Sequence, residues 1–302
     1  VTSSHCGLDG ISLGYSRLTA QSPAQDWVVS NSRFEYNARL GMAWVGGIGL
    51  VVTNCKFNHT GRGSFFSKPG WGLDIEAENS VIRRGRFVSC DFVNNHAGGM
   101  VADTGDSADV TFTDCLFWGT TEGAWSIWPR KPGFRFYNCR IYGTALKNHG
   151  SPDPDKANQF HNCHFEDYEG SYEGKTYSSY RYGYLVCFQF GGENVLLDGC
   201  TLVANKTASM CLNSGAPKIV RNCQVHHNWA EASDKSILCQ LANVYIENTR
   251  FHEKLGRDEK EFSMQIDSSN VTVGPGVVVD GPQCSWGKER ATGTIERTEP
   301  RQ

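Results

Sequence analysis

Three carboxylates are the residues of this chain best placed to do chemistry. Asp74 and Glu76 stand two apart in Gly72-Leu73-Asp74-Ile75-Glu76, and Asp103 closes the similar segment Gly99-Met100-Val101-Ala102-Asp103. If each glycine opens a β-strand, positions one and three after it face the core and positions two and four face outward. Asp74 and Glu76 then share an outer face about 6.7 Å apart, while Glu76 and Asp103 stack on adjacent rungs about 4.8 Å apart. Like charges that close push one pKa up, setting a protonated acid beside an ionised base or nucleophile, the pairing that cleaves a glycosidic bond. The along-strand spacing falls in the inverting range and the cross-rung spacing nearer the retaining one, and sequence leaves both open. Outward carboxylates are ordinary on a solvated surface. Yet Asp and Glu are disfavoured in strands, and opposed like charges cost stability, so use explains the patch better than chance. Calcium, which takes several oxygen ligands, is the alternative way to neutralise it.

Other side chains extend this patch toward a groove. Arg39 lies two residues before Gly41, placed to hold an acidic sugar or tune a carboxylate, and His96 lies three before Gly99. His96 either shuttles protons or satisfies turn backbone. Trp71 and Glu122 each immediately precede a glycine, and Trp125 faces outward on the rung after Asp103. Asp106, in Asp103-Thr104-Gly105-Asp106, either extends the acidic site or serves a turn. Trp118 and Trp128 offer flat faces to sugars or to packing, and Trp44 is assigned to the core. Six tyrosines from Tyr168 to Tyr184 mark an insertion that packs on a flank or grips a glycan.

The elements that would hold these residues follow from a repeat. The phrase Asn54-Cys55-Lys56-Phe57 recurs as Ser89-Cys90-Asp91-Phe92, Asp114-Cys115-Leu116-Phe117, Asn138-Cys139-Arg140-Ile141 and Asn162-Cys163-His164-Phe165. Gly199-Cys200-Thr201-Leu202, Asn222-Cys223-Gln224-Val225 and Asn248-Thr249-Arg250-Phe251 follow, and Asn31-Ser32-Arg33-Phe34 precedes. Successive cysteines of the phrase lie 35, 25, 24, 24, 37 and 23 residues apart. A unit of about 24 residues, twice expanded by insertions, is a solenoid period. Alternation such as Val110-Thr111-Phe112 is strand periodicity, and the Asn or Asp before each Cys suits a turn and would stack into a ladder. The cysteines then form a column of small buried hydrophobes rather than disulfides. A third strand per unit opens at Gly10, Gly41, Gly72, Gly99 and Gly123, which places Ala124 and Ser126 inward and Trp125 and Ile127 outward. Parallel strands wound in one sense are right-handed. The expected fold is all-β: a single-stranded right-handed parallel β-helix of about ten coils of three short strands, on the order of 45 Å long. It spans residues 1–281, with insertions near 58–71, 77–86 and 166–184, and a polar C-terminal tail or linker covers 282–302. Val1 falls inside a repeat, as in a mature product or an excised piece of a longer protein.

Composition excludes other classes. Net charge is −3, with no basic surplus for nucleic acid. The most apolar run, Val45 to Val52, is far shorter than a membrane span, which predicts a soluble protein. No nucleotide-binding glycine loop, zinc-type cysteine pair or serine nucleophile elbow occurs, and His161/His164 and His226/His227 sit in repeat turns rather than metal sites. No metal or cofactor is assigned, calcium at the acidic patch excepted.

The glycine-led strands, the Asn-Cys-x-Phe turns and Gly70-Trp71-Gly72-Leu73-Asp74-Ile75-Glu76 together resemble the pectate-lyase-like β-helix superfamily. That group includes bacterial polysaccharide-degrading enzymes and phage tailspike depolymerases, and the likeness covers about residues 5–280. It implies a polysaccharide partner, an extracellular or virion-associated setting and, by likeness to tailspikes, a homotrimer. Because the architecture hosts hydrolases, lyases, epimerases and adhesins, chemistry rests on the site. The leading expectation is internal hydrolysis of a polysaccharide by Asp74, Glu76 and Asp103, with Arg39 and Trp125 on the substrate. A polysaccharide lyase is the second, disfavoured by the scarcity of outward Lys and Arg near the cluster. A glycan-binding or fibre module without turnover is the third.

Overall fold

The computed structural model describes residues 1–121, 123–146, 149–187, 193–212, 216–228, 237–253, 262–266, 271–280, 284–286, 291–292 and 296–298. The repeated phrase sets the turn of each coil. Asn31, Asn54, Ser89, Asp114, Asn138, Asn162, Asn222 and Asn248 all take φ between 41° and 57°. This left-handed region is one that short polar side chains tolerate and most others avoid. Part of the expected side-chain ladder forms: Asn54 Nδ2 donates to Asn31 Oδ1 and Asn248 Nδ2 to Asn222 Oδ1, each at 2.7 Å. The following cysteines, from Cys55 to Cys223, are free and buried. Each Sγ reaches the carbonyl two residues before it, as Cys90 reaches Val88 at 3.4 Å. Two residues on, Phe34, Phe57, Phe92 and Phe117 stack at 5.2, 5.2 and 4.8 Å, and Phe87, Phe112, Phe136 and Phe160 form a second column at 4.9, 5.0 and 4.7 Å. These separations match the spacing of neighbouring strands, so each ring covers the one below it.

Three parallel ladders wrap this core into a right-handed solenoid. One runs through Asp9–Leu13, Leu40–Trp44, the start of Trp71–Val88, Gly98–Ser107 and Trp125–Pro129. The second takes Trp27–Ser30, Gly47–Thr53, the end of Trp71–Val88 and Val110–Thr113. The third includes Asp91–Val93, Leu116–Trp118 and Arg140–Tyr142. The glycine-led ladder needs small residues because each strand crosses close over the next. A Cβ on Gly41, Gly72 or Gly99 would come within 2.5, 2.7 and 2.4 Å of the carbonyl oxygen of Gly72, Gly99 and Ser126 respectively.

Three expectations are corrected. The segment 77–86 lies within the 18-residue strand Trp71–Val88, in which Glu78, Asn79 and Ser80 bulge out between two pairings with Gly98–Ser107. Residues 282–302 carry backbone strands where a tail was expected: Cys284–Trp286, Ala291–Thr292 and Glu296–Thr298 each pair in parallel with the preceding coil. An open ladder edge presents unpaired N–H and C=O groups that template a further strand even from polar sequence. The coil count also differs slightly from the ten expected, at about 8 turns. Finally, Ser126 rather than Gly123 holds the crossing position, because Trp125 pairs with Gly98 and Ile127 with Met100. Ile127 consequently lies in the core, and Trp128 faces outward. No helix among the described residues is long and apolar enough to cross a membrane.

Candidate active site

Asp74 stands on the outer face of the glycine-led ladder in the column Ser12, Ala43, Asp74, Val101, Trp128. Ala43 and Val101 belong to an apolar cluster with Leu40 and Trp71, and Asp74 beside them is only 4% exposed. Its Oδ1 receives no hydrogen bond. Burial, reinforced by Glu76, Asp103 and Asp9 and opposed by Arg39, pushes its carboxyl up to about 8. Asp74 is thus protonated at neutral pH, since an unpaired buried charge is expensive.

Glu76 and Asp103 do not share the expected column. Ile75 pairs with Ala102, but Glu76 pairs with Thr104, leaving Asp103 as the extra residue of a β-bulge. Such bulges re-aim a side chain, and this one brings Asp103 back toward the other acids. One carboxylate oxygen from each of Asp74, Glu76 and Asp103 lies within 4.8 Å of the others. Asp103 Oδ2 accepts from Arg130 Nη1 at 3.4 Å, while its buried Oδ1 has no partner. Half-buried Glu76 is raised above the ordinary carboxylate range by burial, then by Asp103 and Glu78, with Arg39 opposing.

Around this wall the other expected residues divide. Arg39 is present and acts electrostatically on Asp74 and Glu76, but its guanidinium is engaged by Asp9, with Nε donating to Oδ1 at 2.8 Å. Trp71 is buried against Trp128, ring centres 6.1 Å apart, and offers little surface to a sugar. Trp125 is half-buried at the crossing position's edge and meets Tyr180 and Tyr182 edge-on at 5.3 and 5.1 Å. His96 lies tilted against Phe66, ring centres 4.0 Å apart; its pKa is lowered by burial, Arg62 and Lys68, and none of the three acids is among the causes. Asp106 lies within the strand Gly98–Ser107 rather than in a turn and pairs with Arg83 at 2.7 Å, outside the cluster. Glu122 lies outside the described residues.

The insertion at 166–184 packs: Glu169–Tyr172 and Lys175–Ser178 form an antiparallel hairpin, and Tyr168, Tyr172 and Tyr177 cover Val93, Leu116, Trp118 and Tyr142. Trp118 is accordingly core rather than a sugar platform. The pairs His161/His164 and His226/His227 enter no group of three potential metal ligands among the described residues. Two contributors were missed. Asp9 precedes Gly10 as Trp71 precedes Gly72, a signal the sequence held; Arg130, and the place of Trp128 in the Asp74 column, were hidden by the register set at Gly123 instead of Ser126.

Comparison with curated proteins gives no match. Among solved structures, the Gp54 tailspike of Acinetobacter baumannii bacteriophage AP22, in complex with A. baumannii capsular saccharide, is 12% identical. It has a TM-score of 0.38, over 87% of this chain and 45% of that one. The tailspike gp49 of A. baumannii bacteriophage Fri1, a capsular polysaccharide depolymerase, is 13% identical with a TM-score of 0.40, over 90% and 49%. QnrB1, a plasmid-mediated fluoroquinolone resistance protein, is 11% identical with a TM-score of 0.29, over 89% and 92%. The chain spans about half the length of the two tailspikes. The right handed beta helix region family matches residues 1–141, and the whole described chain is built as a right-handed parallel β-helix.

Proposed function

We propose that the chain is a carbohydrate-active β-helix that hydrolyses a polysaccharide internally at the wall formed by Asp74, Glu76 and Asp103. The observation that carries this reading is a convergence of three carboxylates within 4.8 Å, one of them nearly buried, without a donor on one oxygen. Glu76, the most accessible of the raised carboxyls, serves as the acid that protonates the leaving oxygen. Asp103, steadied by Arg130, is the carboxylate that attacks the anomeric carbon or activates water. Asp74 keeps its proton and positions the pair. The short separation favours the nucleophile role and retention, since retaining pairs stand about 5 Å apart and inverting pairs about 6.5–9.5 Å. Reducing-end release by wild type and its loss in Glu76→Gln is the expected result; an undiminished Glu76→Gln removes the proposal. Proton NMR of the first product distinguishes retention from inversion.

One observation favours a second reading. Asp74 Oδ1 and Asp103 Oδ1 are buried acceptors without donors, which suits a calcium ion held by the three carboxylates. Bound there, calcium would supply a Lewis acid for lyase chemistry on a uronate. Activity abolished by chelation, with an unsaturated product absorbing in the ultraviolet, would establish that reading. Glycan binding with no product at all would leave a fibre or adhesin module. A homotrimer and an extracellular or virion-associated setting accompany the proposal, and light scattering on the purified protein tests the trimer.

A further inference from the structure

We infer that the glycan accepted at the Asp74 wall is a neutral or amino-sugar polymer rather than a uronate, an inference that rests on the glycan-cleaving reading of the same site. Its basis is the charge ledger of the wall. Five carboxyl side chains stand at it, Asp9, Asp74, Glu76, Glu78 and Asp103, of which Asp74 keeps its proton, against two described cations paired there, Arg39 and Arg130. Both cations are already committed. Arg39 grips Asp9 through two hydrogen bonds, and Arg130 is paired with Asp103 while lying over the Trp128 ring at 5.1 Å. A sugar carboxylate arriving at Asp74 would find both Arg39 and Arg130 already paired with acids and would face Glu76 directly. The same wall rewards the opposite charge. Asp74 is 4% exposed with one oxygen lacking any donor, and Asp103 holds a second such oxygen. Hydroxyl and ammonium groups are the donors that such acceptors lack. In the Asp74 column half-buried Trp128, and beyond it half-buried Trp125 with the 52% exposed Tyr182 that it meets edge-on, give apolar faces for uncharged pyranose rings, and a ring face also attracts an ammonium.

Calorimetry with tetramers of glucosamine, N-acetylglucosamine and galacturonic acid tests this on wild type and on Glu76→Gln. The expected order of affinity is glucosamine, N-acetylglucosamine, galacturonate. At least about tenfold should separate first from last at low ionic strength, and the gap should narrow in high salt, which screens charge, and in Glu76→Gln. Galacturonate binding as tightly as either of the others, or no binding by any of the three, overturns the inference. The hydrolytic reading fails separately. Normal cleavage by Glu76→Gln with the affinity order intact removes the chemistry and keeps the selection, and an inverted order with an inactive Glu76→Gln does the reverse.

Discussion

Two regions of the solenoid each bring three potential metal ligands within 4.8 Å, yet they are built on opposite principles. At the hairpin tip, Glu35, His59 and Glu173 converge, and each carboxylate is answered. Arg33 binds Glu35 at 2.7 Å and Glu173 at 3.0 Å, Lys56 binds Glu173 at 2.6 Å, and Asn58 donates to Glu35. His59 meets Asn94 at 3.0 Å and stacks on Tyr36 at 4.6 Å. At the Asp74 wall, by contrast, two carboxyl oxygens are buried without a donor, and burial together with neighbouring like charges raises the pKa of Asp74 and of Glu76. A cluster whose charges are satisfied holds structure together, whereas one left unsatisfied costs stability and needs a ligand or a reaction to account for it. Proximity of acids alone therefore does not separate the two; the accounting of their partners does.

The sharpest way to break this contrast is to neutralise one member of each cluster. Glu76→Gln at the wall is expected to lower polymer cleavage by about 10²–10⁴, the usual contribution of a positioned acid. Glu173→Gln in the hairpin-tip cluster, which latches the hairpin to the solenoid through Arg33 and Lys56, should leave cleavage within about twofold. Equal losses in a reducing-end assay would mean that the wall acts only as scaffold. Because Glu76 must be protonated to act and its pKa is raised, wild-type activity should persist above the ordinary glutamate range and then fall as pH climbs through that raised value.

Next in size is the stability cost at Asp74. A carboxyl raised in the folded state contributes its full stability below its unfolded pKa, and the contribution is lost as pH rises toward the folded value, here about 8. Asp74→Asn removes the ionisation while keeping the shape. It should be more stable than wild type by about 2–4 kcal/mol at pH 9, where wild type must ionise a buried group, and nearly equal at pH 4. Denaturant melts at the two pH values decide it, and a variant destabilised at pH 9 would mean that the Asp74 carboxylate is paired after all.

How much of this was legible depends on whether one residue type answered one local demand. Asn54 and Asn138 declare a left-handed turn by themselves, Cys90 and Phe92 declare the core two residues later, and Gly41, Gly72 and Gly99 declare close crossings of the chain. The pairing of the strand that carries Asp74 with the strand that carries Asp103 followed from those marks. Where a position accepted a substitute, the reading slipped: Ser126 fills the crossing place and so concealed Arg130 and the register of Trp128. The bulge at Asp103 was invisible because no glycine or proline announces it; the pairing of Glu76 with Thr104 is decided by the neighbouring strand. Pairings across 140 residues, such as Arg33 with Glu173, leave no periodic trace at all.

The smallest expected effect belongs to that last pairing. Glu173 is partly exposed, and despite some burial Lys56 and Arg33 hold its pKa below the ordinary range; burial likewise lowers the pKa of His59. Both shifts give stability that is present above the unfolded pKa and lost as pH falls through the folded one, the reverse of the sign at Asp74. The latch should thus loosen on acidification while the wall relaxes. An ion pair at such exposure is worth about 0.2–1 kcal/mol, so Glu173→Gln should leave global unfolding almost unchanged. Its effect should be local: faster amide exchange across Glu169–Ser178 at neutral pH, with the difference from wild type vanishing at low pH, where the wild-type Glu173 is protonated and, like the Gln, uncharged. Tyr172, whose hydroxyl donates to Asp91 at 2.6 Å, would keep the hairpin from leaving the flank entirely. Exchange in the hairpin that is as slow in Glu173→Gln as in wild type would assign the docking to the tyrosines alone and make the latch charges incidental.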